Sequence, residues 1–134
     1  MRNAEQILAE STTIAVVGAS RDPGKEAHGV PRQIQRHGWT IIPVNPHATE
    51  LFGVPCYPTL ADVPVHVDMV NVFRPSADCA DVARQAAEIG ADAIWLQQGI
   101  VSPEARAIAE AAGIDYVEDH CIAVERAIRA LSKH

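Results

Sequence analysis

Residues 13–24 read Thr13-Ile14-Ala15-Val16-Val17-Gly18-Ala19-Ser20-Arg21-Asp22-Pro23-Gly24. The first five are apolar or β-branched, carry no charge and stop at a glycine. A strand with one wet face alternates polar and apolar residues. This one does not alternate, so both of its faces must be buried. A strand buried on both faces belongs in the interior of a parallel sheet covered by helices. The polar, glycine-containing stretch behind it reads as the loop that leads into a crossover helix.

The pattern continues in both directions. Upstream, Asn3 to Glu10 puts Ala4, Ile7 and Leu8 on one helical face. Downstream, Val30 to Arg36 reads as a short helix with Pro31 in its first turn, ending before Gly38. Trp39 to Val44 is the second strand, and Pro46, Pro55, Pro58 and Pro64 mark an irregular stretch. Val67 to Phe73 is the third strand, followed by a helix to Ile89 capped by Ser76 or Asp78. Ala93 to Leu96 is the fourth strand. Ser102-Pro103-Glu104 opens a helix with an N-cap, a first-turn proline and an acid. Its expected buried face is Ala105, Ile108, Ala109 and Ala112. Ile114 to Val117 is the fifth strand, and Val124, Ala127, Ile128 and Leu131 give the last helix an apolar face. Gly38, Gly90 and Gly113 stand at helix-to-strand junctions, where a left-handed cap is common. The fold expected is α/β: residues 1–134 as a single Rossmann-like domain, with a five-stranded, mostly parallel sheet and helices on both faces. Both tryptophans, Trp39 and Trp95, read as core residues.

Composition excludes several classes. The formal net charge of −6 argues against non-specific binding to nucleic acid or anionic membrane. No apolar run is long enough to span a bilayer. The start, Met1 to Gln6, lacks the apolar stretch of a signal peptide. Cys56, Cys79 and Cys121 are odd in number and form no CxxC pair. Reduced thiols in a cytoplasmic protein are the expectation. The six histidines form no HxxxH or HExxH pair, so no metal site is expected.

Ligands of such sheets sit at the carboxyl ends of the strands. After the first strand, Gly18 leaves room for a phosphate, Ala19 and Ser20 follow, and Arg21 and Lys25 add positive charge. A plain βα turn with solvated charges is the competing reading. The P-loop is excluded: five residues, not four, separate Gly18 from Gly24, and Glu26 follows Lys25. The dinucleotide fingerprint also fails. Ser20 replaces its second glycine, and the second strand ends in Asn45-Pro46 with no acid for a ribose. After the third strand, Phe73 offers an aromatic edge beside Arg74, whose guanidinium suits phosphate. After the fourth come Gln97, Gln98 and Gly99, which would border the ligand channel or simply turn the chain; after the fifth comes Glu118-Asp119-His120-Cys121. His28 and His47 lie in the same loops, where a solvated side chain is the plainer reading.

Four of these segments together resemble a known family. They are Val16-Val17-Gly18-Ala19-Ser20, Ile42-Pro43-Val44-Asn45-Pro46, Val72-Phe73-Arg74-Pro75 and Trp95-Leu96-Gln97-Gln98-Gly99. The set resembles small stand-alone CoA-binding proteins, similar to the N-terminal domain of the succinyl-CoA synthetase α subunit. The resemblance runs from about Ile14 to Leu131. It implies that coenzyme A, or a short acyl-CoA, lies across the strand ends. Gly18 to Ser20 would hold the pyrophosphate, Asn45 and Pro46 would flank the nucleotide, and Val72, Phe73 and Arg74 would border adenine and ribose phosphate. Lys25 would be a second cation near phosphate. It carries over no ligase activity.

The expectation is a binding protein, as carrier, sensor or regulator, that does no chemistry alone. Three alternatives stay open: an NAD(H)-binding redox or sensor domain, an enzyme acting on the CoA thiol through Cys121, and a subunit completed by an unidentified protein partner. A homodimer is compatible with all of them.

Overall fold

The computed structural model describes all 134 residues. Its order is α1 (Ala4–Glu10), β1 (Thr13–Val17), α2 (Glu26–Arg36), β2 (Thr40–Val44), β3 (Glu50–Leu51), β4 (Val54–Pro55), β5 (Met69–Val72), α3 (Ser76–Glu88), β6 (Ala93–Leu96), α4 (Pro103–Ala111), β7 (Asp115–Val117) and α5 (Ile122–Arg129). Five strands form one sheet in the order β2-β1-β5-β6-β7. All four pairings in it are parallel. The proline-marked stretch contains a small antiparallel hairpin of β3 and β4. The chain is thus an α/β Rossmann-like domain. The sheet grows from β1 to β2, then restarts at β5 on the other side of β1. That reversal makes β1/β5 the switch point, where such sheets open a crevice.

Strand period two sorts the core into layers. Ile14, Val16, Met69, Ala93, Trp95 and Val117 face α1, α2 and α5. Ala15, Val70, Val72, Ile94, Leu96 and Tyr116 face α3 and α4. Both tryptophans are core residues, with indole N–H groups donating to Leu8 O at 3.1 Å and to His120 O at 2.9 Å. Gly38, Gly90 and Gly113 all take positive φ.

Several boundaries differ from expectation, each for a physical reason. The second helix begins at Glu26, a turn earlier than Val30, so Pro31 lies inside it. Proline has no N–H for the carbonyl four residues back. That carbonyl, Ala27 O, is taken instead by Ser20 N at 3.0 Å. The proline therefore ties the glycine loop to the helix. The third helix starts at Ser76 with Pro75 at the N-cap and no side-chain cap. In α4, Ser102 caps as expected and Ala105 and Ala109 are buried, but Ile108 is half-buried and Ala112 is exposed. The largest correction is α5. It buries Ile122 and Ala123, while Val124 is 50% exposed and Ile128 67%. Leu131 lies past its left-handed end at Ala130 and packs on the core.

Candidate functional site

The sequence-predicted residues gather along the C-terminal edge of the sheet. Gly18 ends β1 with a φ of +88°, and a Cβ there would lie 2.5 Å from Phe73 O. Its missing side chain therefore serves the close approach of the β1 and β5 loops. Phe73 N donates to Val17 O at 2.9 Å and locks that contact.

The loop behind Gly18 is closed by its own bonds. Gly18 N donates to Val44 O and Ser20 N to Ala27 O, so these two amides are not free for an anion. The amides of Ala19, Arg21, Glu26 and Ala27 donate to no protein group. Asp22 N donates to Ser20 Oγ at 3.0 Å and Gly24 N to Asp22 Oδ1 at 2.9 Å. His28 is not merely solvated: its Nδ1 lies 2.8 Å from Ser20 O, and its ring stacks edge-on to Phe52. Lys25 is the N-cap of α2 and supplies no side-chain cap. Open amides at a helix start, beside cations, form a place for negative charge.

Asn45 is a staple. Its Nδ2 donates to Ala19 O at 2.8 Å and its Oδ1 accepts from His47 N at 2.7 Å. An aspartate would lose the first of these bonds. Two adjoining hollows open here. One, of about 410 Å³, is lined by Arg21, Pro46, His47, Ala48, Thr49 and Glu50. The other, of about 440 Å³, is lined by Ser20, Arg21, Asp22, Asn45 and His47. Arg21 and His47 belong to both. Arg21 and Lys25 are exposed and make no ion pair, whereas Arg74 bonds Asp78 at 2.8 Å.

Farther along the edge, Phe73 is half-buried and Gln98 and Gly99 are exposed. Gly99 N donates to Asp119 Oδ1 at 2.7 Å. Val72 stands apart. It is fully buried in the core against α3 and α4, so its side chain does not reach the edge. Sequence reasoning passed over Asn71 and named Gln97 only as part of the loop after the fourth strand. Both are buried on the α5 side of the sheet, with Asn71 Nδ2 donating to Gln97 Oε1 at 3.4 Å. The signal was available: Gln97 follows Trp95 by two, which puts it on the same face. It also missed His66, Asp68 and Asp92, which cluster at the opposite edge within ion-pairing distance.

The model of the family described as CoA binding domain matches residues 12–127. The uncharacterized protein YneT of Bacillus subtilis is 39% identical over 124 residues, covering 92% of each chain. A solved structure from Thermus thermophilus superposes with a TM-score of 0.89 at 36% identity, covering 95% of this chain and 98% of that one. An ADP-forming acetate–CoA ligase of Archaeoglobus fulgidus is 34% identical over 80 residues. That match takes in 58% of this chain and 12% of the ligase. From the span of the family match and the likeness to YneT, this chain belongs to the CoA-binding-domain family.

Proposed function

We propose that this protein binds coenzyme A, or a short acyl-CoA, across the C-terminal edge of its sheet, as a carrier, sensor or regulator. The observation that carries the reading is the family match together with unpaired Arg21 and Lys25 at the β1/β2 end of that edge. In this reading Arg21 and His47 receive the phosphorylated ribose, and the open amides at the start of α2 receive the pyrophosphate. Phe73 packs on the adenine, Arg74 is held back by Asp78, and Gln98 and Gly99 border the pantetheine arm. The ligase reaction is not carried over, since the match takes in only 12% of the ligase. NAD is disfavoured because both ends of the Asn45 amide are already bonded and no acid stands there for a ribose diol. Three unpaired cysteines fit a reducing, cytoplasmic setting.

Calorimetric titration of the reduced protein with CoA, dephospho-CoA, acetyl-CoA and NAD tests this. CoA should bind, and removal of its 3′-phosphate should weaken binding about tenfold or more. Heat from NAD with none from CoA would sink the reading.

A further inference from the structure

Three metal-ligating side chains meet at the opposite edge of the sheet, away from the ligand loops. His66 and Asp68 stand just ahead of β5 and flank Val67, which is 1% exposed. With Val67 turned into the core, its two neighbours turn outward together. β5 and β6 pair in register, Met69 against Ala93. Asp92, one residue before Ala93, therefore comes alongside Asp68, one residue before Met69. No local spacing announces this set, because its third member comes from the next strand of the sheet.

The ligand atoms converge. His66 Nε2 lies 3.0 Å from Asp92 Oδ2 and 3.7 Å from Asp68 Oδ1. One donor atom from each residue falls within 4.8 Å of the other two. Donors bound about 2.0–2.2 Å from a zinc ion lie roughly 3.0–3.5 Å from one another. Small turns of His66 and Asp92, both exposed, bring the three to that spacing. Asp68 is already aimed. Its Oδ2 accepts the amides of Thr12 and Thr13, both at 2.9 Å, which leaves Oδ1 for His66. Metal-binding carboxylates are commonly held from behind in this way. The charges fit as well. Neither aspartate pairs with an arginine or a lysine, and His66 is the ion-pair partner of both. A dication placed among them meets two carboxylates that no fixed cation neutralises.

We propose that His66, Asp68 and Asp92 form a binding site for a divalent ion of the zinc class, which joins the starts of β5 and β6. One imidazole and two carboxylates make a borderline donor set. The imidazole favours zinc, cobalt or nickel over magnesium and calcium, which take oxygen ligands. Without metal, His66 Nε2 bonds Asp92. The ion takes the place of that bond, and the ring proton moves to Nδ1, which bonds no protein group. Three protein ligands leave an outward position for water. The site does not depend on CoA binding.

The test is amide NMR of the isotope-labelled, reduced full chain titrated with cobalt(II), whose paramagnetism broadens only nearby signals. Broadening should appear first at Thr12, Thr13, His66 to Met69, Asp92 and Ala93. Zinc should displace the cobalt and restore these signals, whereas magnesium in about a hundredfold excess should not. His66→Ala and Asp92→Asn change exposed side chains and should both fold, which metal-free melting checks. Each should remove the broadening at the cobalt concentration that produces it in the parent. Broadening that persists in both variants, or that magnesium reverses as well as zinc does, overturns the proposal. So does broadening confined to other residues such as Cys121 or His134, which would mean an adventitious ion only.

Discussion

The two edges of the sheet both carry charged hollows, and they differ in what their charges are doing. The N-terminal edge has the larger hollow, about 630 Å³, lined by Arg2, Glu10, Asp92 and Asp115 among others. Its groups are already committed. Arg2 bonds Asp115 at 2.6 Å and reaches Glu10 at 3.5 Å, and His66 bonds Asp92 at 3.0 Å. Asp68 accepts the amides of Thr12 and Thr13, both at 2.9 Å. The C-terminal edge has smaller hollows but unspent groups: Arg21, Lys25 and the open α2 amides. Unused bonding capacity, more than volume, separates the two edges.

The sharpest test of how the C-terminal edge is built is Gly18→Ala. The new Cβ meets the Phe73 carbonyl, and alanine resists the positive φ. A loss of about 3 kcal/mol is expected, a fall in Tm of roughly 10 °C by thermal unfolding. A Tm within about 2 °C of the parent would mean that the two loops yield easily. Next in size is an affinity contrast between the edges. Arg21→Ala should weaken CoA binding about tenfold to a hundredfold in calorimetry. Arg2→Ala should leave that affinity alone and cost about 1 kcal/mol or less of stability. The reverse pattern would move the ligand to the other edge. Smaller again is Arg74→Ala, with an expected loss of about threefold, because Arg74 is occupied by Asp78.

The smallest effect belongs to His66. Its hydrogen bond to Asp92 is the main cause that raises its pKa, with the charges of Asp92 and Asp68 adding. A raised folded value stabilises below the unfolded value near 6.5 and is lost as pH rises through the folded value. His66→Ala should therefore reduce the Tm difference between about pH 5.5 and about pH 9 and leave CoA affinity unchanged. A Tm–pH curve identical to the parent's would show the pair contributes nothing.

Much of this was legible in the sequence, for identifiable reasons. The unbroken apolar run Thr13 to Val17 announced an interior parallel strand because nothing in it tolerates a wet face. Pro31 misled because a proline early in a helix resembles a first-turn proline. Only the Ser20–Ala27 bond, invisible to a local reading, makes it tolerable five residues in. The α5 face was misread because two apolar stripes compete on one helix, and tertiary packing chose Ile122 and Ala123 over Val124 and Ile128. Arg21, Lys25 and Arg74 were all recognisable as cations at strand ends, but which is free depends on Asp78, one turn of helix away from Arg74. Val72 was expected to border the ligand by resemblance, and the two-residue period of the strand turns its side chain into the core.

Backbone amide shifts of the isotope-labelled protein, recorded by NMR with and without CoA, test the central claim most directly. The account predicts that the largest changes fall on Ala19, Arg21, Glu26, Ala27 and Gly99, with Arg2, Glu10, Asp92 and Asp115 unmoved. Changes concentrated on the second group, with the first silent, would contradict it.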